Sequence, residues 1–487
     1  MRINDNKTNI FLLVASFFLL VILTSCYPHK NSIWYYTLDN TLDNLQPSLE
    51  NEIIPSYIDA NNYRILKISN FNQNKIRNIL IESKSTDVEI FHLPIIKNHQ
   101  NKDILDLMIP LSEKYLQDLD VSKVQYFLIK FVSKKKGEDN ITITFETDKK
   151  RTFFKVSKRI FAVDVRNSSK IDLNVFAYFD YNFLVKNAKE TIIDDLQKHN
   201  SNVLVIPPRV IPDIMMIDQS SIKLDKYIEK TNDKFDYYIL YLNWTDRNLN
   251  LKDPLFGNQI KKWFDLISES FKKNNISPKK IVIFPFDEPD HDRSRDLLTI
   301  KNIFRNAGIN NPFYVSINNK DVGKTLVSKI EIMQFIPEIL SEINTKNTIS
   351  KIWTYQLTYG SRDRKPLEYR DISIKAFLLE AKGIGVWNYA DVDLAIKQKG
   401  KDQFIGGKGT WQIDFDASSA EYSLIYRKKN EIFSSLRWEA LSNGLEDYFW
   451  LELYRIKFGN NAAKKMAKKI MSSSPEEWQS VKLSLTK

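Results

Sequence analysis

The chain has 487 residues, of which 43% are hydrophobic and 27% charged. These fractions are those of an ordinary globular protein. The net charge of +11 comes from lysines spread along the whole length. They are not arranged with aromatic residues in a nucleic-acid module, so we expect no nucleic-acid partner. A basic surface would favour anionic glycans or lipid headgroups, and a merely solvated surface is the alternative.

The N-terminus has the pattern of a secretory signal. Arg2 and Lys7 precede an apolar run at residues 10–23 that is shorter than the roughly 20 residues needed to span a bilayer. The next residues, up to Cys26, resemble the lipobox of bacterial lipoproteins, in which the cysteine is acylated. We therefore expect residues 1–25 to be removed and Cys26 to anchor the protein in the cell envelope, at the outer membrane or cell surface. An uncleaved N-terminal anchor is the alternative.

Cys26 is the only cysteine of the chain. An intramolecular disulfide bond is therefore excluded, although the expected destination is oxidising. The single thiol stands at the one position where a lipid needs it, which agrees with the predicted anchor.

The chain after the signal divides by the period of its apolar residues. We assign residues 26–62 to a lipidated tether and irregular lead-in. Residues 63–165 contain short alternating runs, such as Ile141–Phe145, separated by turn residues. Runs of period two at this spacing predict an antiparallel β-sandwich.

Residues 166–460 alternate apolar strands with amphipathic helices. We predict eight strands, which begin at Leu173, Val203, Tyr237, Ile281, Phe313, Ile330, Ile352 and Ile384. Helices between successive strands imply parallel pairing, and eight such units close into a (β/α)8 TIM-like barrel. An open doubly wound sheet is the alternative, but it usually has fewer strands and a glycine-rich first turn. Residues 434–458 supply the eighth helix, and residues 461–487 form a helical tail.

The carboxyl ends of the predicted strands carry mainly aromatic residues and carboxylates, as a glycan pocket would. The sharpest feature is Asp287-Glu288-Pro289, directly after the fourth strand. Two adjacent carboxyl groups resist ionising together, so one of them can stay protonated as a general acid. Pro289 favours an extended backbone at Glu288. The start of a helix is the alternative explanation of the triplet.

Together with the run SLRWEALSNGLEDY at residues 435–448, this triplet resembles glycoside hydrolase family 123, whose catalytic domain is also described as domain of unknown function 4091. The resemblance covers residues 171–458. It implies retaining hydrolysis of terminal N-acetyl-β-galactosaminides, in which the sugar's own acetamido oxygen attacks the anomeric carbon. Asp287 would then orient and stabilise the acetamido group, and Glu288 would protonate the leaving oxygen and activate water.

Four aromatic residues complete the predicted pocket. Trp387 and Tyr389 would form a wall on which the sugar stacks. Tyr355 would donate a hydrogen bond to the acetamido group, and Trp244 would be a platform for the neighbouring sugar. Packing within the barrel is the alternative for each of them. A basic loop at residues 360–365 departs from the family pattern and leaves an anionic glycan open.

No cofactor and no metal centre is expected. The five histidines show no metal-ligand spacing, and Gly406–Thr410 lacks the full phosphate-loop pattern. The sequence predicts an envelope-anchored exo-β-N-acetylhexosaminidase whose partners are a glycan substrate and, through its lipid, a membrane. A non-catalytic glycan-binding or cell-envelope lipoprotein that retains the barrel is the alternative.

Overall fold

The described part of the chain is a sandwich followed by a barrel. The computed structural model describes residues 32–35, 53–68, 76–97, 102–111, 124–147, 152–163, 173–177, 189–215, 222–231, 233–244, 249–345, 348–356, 364–386, 389, 424–428, 431–472 and 475–486. Cys26, the predicted lipid site, and Trp387, a predicted stacking residue, lie outside these residues. Of the helices within them, none is both long enough and apolar enough to cross a bilayer.

The N-terminal sandwich consists of a five-stranded sheet of order β1-β3-β9-β5-β8 and a four-stranded sheet of order β2-β11-β10-β4. Its strands, with the small β6–β7 ribbon, are β1 Ser32–Tyr35, β2 Ile53–Tyr57, β3 Asn61–Ile68, β4 Ile76–Glu82, β5 Thr86–Leu93, β6 Ile95–Lys97, β7 Asp103–Leu105, β8 Ile109–Pro110, β9 Gln125–Ser133, β10 Gly137–Thr147 and β11 Thr152–Val163. Neighbouring strands are antiparallel apart from β2 and β11. The irregular lead-in predicted for residues 26–62 is therefore wrong where β1 and β2 lie. Both are edge strands, too short to show a clear period in the sequence.

The five-stranded sheet is covered on both faces, which explains why β9 is buried along almost its whole length. Phe127, Ile129 and Phe131 belong to the core between the two sheets. Tyr126 and Leu128 belong to the core that the sheet shares with the barrel. Successive side chains of a strand point to opposite faces, so a strand covered on both sides carries no polar alternation.

Eight parallel strands form the barrel, which confirms the predicted fold class. They are β12 Asn174–Ala177, β13 Val203–Ile206, β14 Tyr237–Tyr241, β15 Ile281–Phe284, β16 Tyr314–Ile317, β17 Ile332–Phe335, β18 Lys351–Gln356 and β19 Gly383–Val386. Their order is β15-β14-β13-β12-β19-β18-β17-β16. A single bridge between Ile283 and Phe313 joins the two end strands, so the barrel is nearly closed. We call this junction of β15 and β16 the seam.

The interior of the barrel is filled by aromatic side chains, among them Phe176, Phe284, Tyr314 and Trp353. The rings of Phe284 and Tyr314 meet edge to face, with centroids 4.6 Å apart. A Cβ atom at Gly385 would lie 1.9 Å from Cε1 of Phe176. A glycine in β19 is therefore what lets the Phe176 ring cross the interior.

Helices cover the outside of the barrel and continue beyond it. They are α1 Lys189–Lys198, α2 Ile222–Ile228, α3 Phe256–Lys273, α4 His291–Asn306, α5 Lys320–Leu326, α6 Pro337–Leu340, α7 Pro366–Leu378, α8 Leu436–Phe458, α9 Asn460–Ile470 and α10 Pro475–Thr486. The helix α8 is the predicted eighth helix, and the predicted tail contains α10 as well as α9. A short ribbon of β20 Tyr426–Lys428 and β21 Glu431–Phe433 precedes α8.

Candidate active site

Asp287 and Glu288 follow β15, at the end of the barrel where the carboxyl ends of the parallel strands meet. The next helix, α4, has Asp290 as its N-cap, and the Asp290 side chain accepts the backbone N–H of Arg293. Since Asp290 performs the capping, a helix start does not explain the two carboxyl groups before it. Their side chains contact β16 and β18 instead.

Both carboxyl oxygens of Glu288 accept hydrogen bonds from the ends of other strands. The hydroxyl of Tyr355, in β18, donates to Oε1 at 2.5 Å. The Nδ2 of Asn318, directly after β16, donates to Oε2 at 2.7 Å. Tyr355 is only 6% exposed, and Glu288 itself is half-buried. Hydrogen bonds to a charged acceptor are stronger than neutral ones, so these two donors hold the carboxyl group in one orientation.

The backbone of Glu288 is left-handed, with φ = 45°. The extended backbone expected from Pro289 is therefore wrong. A non-glycine residue in this region costs about 1–3 kcal/mol and persists only where the surroundings hold it. Here the Oγ of Ser316 accepts the N–H of Glu288 at 3.0 Å, in addition to the two bonds to the side chain. Such strained positions concentrate at functional sites.

Asp287 shares the Ser316 hydroxyl with Glu288. The Oγ of Ser316 donates a short hydrogen bond to Oδ1 of Asp287. Although part of the side chain reaches solvent, desolvation by the barrel wall raises the pKa of Asp287. The Ser316 bond lowers this pKa, and the charge of Glu288 raises it. The net direction is upward, so Asp287 keeps a proton to higher pH than a free aspartic acid.

Two tyrosines stand close enough to respond to these carboxyl groups. Tyr241, the last residue of β14, stacks on Phe284 with ring centroids 4.8 Å apart. Burial, and then the charges of Asp287 and Glu288, raise the pKa of Tyr241. Burial and the same two charges also raise the pKa of Tyr314 in the barrel interior. Both hydroxyl groups therefore stay protonated, and the wall of the site next to the carboxyl pair is neutral and largely aromatic.

The structure brings Tyr355 to the carboxyl pair but not the other two aromatic residues whose side chains are described. Trp244 is 3% exposed and packs against Trp263, with ring centroids 6.2 Å apart. Tyr389 is fully buried, and its hydroxyl donates to Oδ2 of Asp195, in α1 on the outside of the barrel, at 2.5 Å. We therefore correct the stacking roles predicted for Trp244 and Tyr389. A position at a strand end does not reveal whether the side chain faces the pocket or the packing behind it.

Sequence reasoning missed Ser316 and Tyr241, and it assigned no role to Asn318. The sequence did contain a signal for the contacts of Ser316 and Asn318. Ser316 is a small polar residue in a buried strand, two positions before Asn318, and period two places both on the same face. Tyr241 carried no comparable signal, because aromatic residues recur throughout these strands.

A cavity of about 700 Å³ lies away from this site, between the sandwich and α1 and α8. Two pairs of charged or ionisable side chains lie in its wall. Nε2 of His199 lies 2.9 Å from Oε1 of Glu439, and Lys130 lies 3.4 Å from Glu89. Burial opposes a charge on His199, but the carboxylates of Glu439 and Asp195 outweigh it and raise its pKa. The hydroxyl of Tyr63, in β3, donates to Oε2 of Glu439 at 2.7 Å and joins the sandwich to α8. In the described residues no acidic or histidine cluster is arranged to hold a metal ion.

Neither a family model nor a curated protein matches the sequence. Among solved structures, the chain is similar to a family 123 glycoside hydrolase from Clostridium perfringens, studied for glycolipid glycan hydrolysis. The identity is 12%, the TM-score 0.62, and the match covers 93% of this chain and 96% of that one. A family 2 β-galacturonidase from Eisenbergiella tayi matches with 10% identity and a TM-score of 0.35, over 86% of this chain and 72% of that one. The likeness to the Clostridium enzyme confirms the expected resemblance at the level of the fold.

Proposed function

We propose that this protein is a glycoside hydrolase that removes terminal N-acetyl-β-hexosaminides, of the galactosaminide type, by substrate-assisted catalysis with retention. The observation that carries the proposal is the unequal treatment of two adjacent carboxyl groups at the open end of the barrel. Glu288 is held through both oxygens, whereas Asp287 reaches solvent. Surroundings that differ in this way suit a division into acid and stabiliser.

The substrate's acetamido group supplies the nucleophile in this mechanism. Its N–H donates to Asp287, and its oxygen forms a bond to the anomeric carbon as the bond to the leaving oxygen breaks. Donation by the amide stabilises the ionised form of Asp287, so the proton that the coupled pair holds passes to Glu288. Glu288 gives this proton to the leaving oxygen and later takes one from the water that opens the oxazolinium ion. The carboxylate of Asp287 stabilises the positive charge of that ion.

Hydrolysis of aryl N-acetyl-β-galactosaminides and -glucosaminides by the full-length protein in detergent tests the proposal. We expect Glu288→Gln to lower kcat/KM by about 100- to 10,000-fold for poor leaving groups, and less for activated aryl groups that need no acid. Asp287→Asn should impair both substrates alike. Glu269→Gln, on the exposed face of α3, is the matched control and should retain activity.

Equal and small effects of the Glu288 and Asp287 variants would reject this assignment. Binding of the same glycosides without turnover would instead favour a non-catalytic glycan-binding lipoprotein.

We further propose that Cys26 carries a lipid that anchors the protein in a bacterial envelope. The sequence of residues 1–26 supports this. Growth with labelled palmitate should label the wild-type protein and leave Cys26→Ser unlabelled and released from the membrane fraction. Equal labelling of both proteins would contradict the anchor.

A further inference from the structure

We propose that Ser316 is a positioning residue, whose single hydroxyl group fixes Asp287 and the backbone of Glu288 in one arrangement across the seam of the barrel. This inference rests on the proposed function and adds to it a residue outside the acidic pair. The hydroxyl donates to Oδ1 of Asp287 and accepts the N–H of Glu288 at 3.0 Å.

The direction of these two hydrogen bonds follows from the groups involved. A backbone N–H can only donate, so Ser316 must accept from Glu288. The one proton of the hydroxyl group is then free to be donated to Asp287. Ser316 is only 5% exposed, so water has little access to its hydroxyl group. Asp287 is thereby held as an acceptor at Oδ1, which is the state that a stabilising carboxylate requires.

Strand β16 and the residue directly after it bind both the backbone and the side chain of Glu288. Ser316 binds its backbone N–H, and Asn318, on the same face of the strand, binds Oε2 of its side chain. The left-handed backbone of Glu288 is unfavourable by itself, so it depends on such contacts. Loss of the Ser316 hydroxyl should therefore release the backbone of Glu288 while the Asn318 bond remains.

Ser350 provides a matched control at the opposite end of the barrel. Its Oγ accepts the N–H of Ser328 at 3.0 Å and donates to the carbonyl oxygen of Ile330 at 2.6 Å. Ser328 is also left-handed, with φ = 66°. Ser350→Ala therefore removes the same kind of buried hydroxyl group beside the same kind of strained residue, far from the carboxyl pair.

The experiment compares Ser316→Ala, Ser316→Thr and Ser350→Ala in the full-length protein, with thermal unfolding and the pH dependence of kcat/KM. Ser316→Ala should lower kcat/KM by about 10- to 100-fold, the usual weight of a hydrogen bond to a charged group. Because the Ser316 bond lowers the pKa of Asp287, its loss should move the acidic limb of the profile to higher pH. Ser316→Thr keeps the hydroxyl group and should restore most of the activity, and Ser350→Ala should keep the wild-type profile.

The proposal is overturned if Ser316→Ala keeps the wild-type acidic limb, or if Ser350→Ala reduces activity as much. In that case the hydrolase assignment stands provided that Glu288→Gln is impaired. If the wild-type protein hydrolyses none of the glycosides, the proposed function fails, and infrared titration of the protonated carboxyl band decides about Ser316. With Asp287→Asn as the blank, a band that persists to higher pH in Ser316→Ala supports positioning, and an unmoved band refutes it.

Discussion

Acidic residues are treated in opposite ways in two regions of this molecule. Beside the sandwich, Asp447 of α8 is buried between Arg370 and Lys482. Burial alone would raise its pKa, but these two positive charges outweigh it and lower the pKa to about 2. At the open end of the barrel, the described partners of Asp287 and Glu288 are hydroxyl and amide groups. Asp447 is paired with cations, so it stays ionised and holds elements together, whereas burial raises the pKa of Asp287 and lets it exchange a proton.

The largest expected effect in the first region is that of Arg437→Met. Arg437 and Asp106 are both fully buried, and the guanidinium Nε lies 3.1 and 3.0 Å from the two carboxylate oxygens. Removal of one member of a buried pair leaves an uncompensated charge, which costs about 3–5 kcal/mol. We expect the free energy of unfolding in urea to fall by that amount, while the folded variant keeps its turnover.

The double variant Asp106→Leu with Arg437→Met is the control for this pair. It removes both charges, so it should be more stable than Arg437→Met alone. A double variant that is less stable than the single one would show that packing, and not the charge, sets the stability of this contact.

A smaller effect, on catalysis and not on stability, is expected for Tyr355→Phe. The substitution removes the hydroxyl group that donates to Glu288 at 2.5 Å and keeps the buried ring. Loss of a hydrogen bond to a charged group should lower kcat/KM by about 10- to 100-fold. Tyr238→Phe, which removes a buried hydroxyl 3.1 Å from Thr231 on the outside of the barrel, should leave kcat/KM unchanged. If the two variants have equal kcat/KM, Tyr355 has no role in catalysis.

The smallest expected effect is that of Glu446→Gln. Glu446 belongs neither to the acids paired with cations nor to the pair at the open end of the barrel. It is buried in α8, where burial raises its pKa to about 7 against hydrogen bonds from Tyr57 and Asn61. A carboxyl group whose pKa is raised in the folded state stabilises the fold below its unfolded pKa, and this stabilisation is lost as the pH rises through 7. Glu446→Gln cannot ionise and should not show this loss. Compared with the wild type, the variant should gain about 1–2 kcal/mol in free energy of unfolding at pH 8 relative to pH 5.

Activity of Glu446→Gln should equal that of the wild type, because a raised pKa marks a functional acid only where substrate can reach it. The neighbouring Asp447→Asn is the opposite case and should lose stability at both pH values. A catalytic defect in Glu446→Gln would break the distinction between the two regions.

The sequence predicted the barrel well because its strands are continuous apolar runs between helices with a clear period. Strand β13 begins at Val203, as expected, and α8 lies within the predicted residues 434–458. The prediction failed for β1 and β2, which are short and lie at sheet edges. These strands are defined by pairing with distant residues, which a local pattern does not contain.

At the candidate site, the sequence identified the residue types but not their directions. Asp287 and Glu288 stand at the end of β15 as expected. The outward packing of Trp244 and Tyr389, and the left-handed backbone of Glu288, depend on neighbours from other strands. The Ser316 contact depends on closure of the barrel, which brings β16 beside β15 although 29 residues separate Asp287 from Ser316 in the chain.

Because of the seam, activity should be lost more easily than the fold. One bridge closes the seam. The acidic pair follows β15, whereas Ser316 lies in β16 and Asn318 directly after it. A slight parting of these two strands, far short of melting, would break three contacts of the pair at once. Warming should therefore abolish activity at temperatures where the circular dichroism spectrum still shows an intact fold.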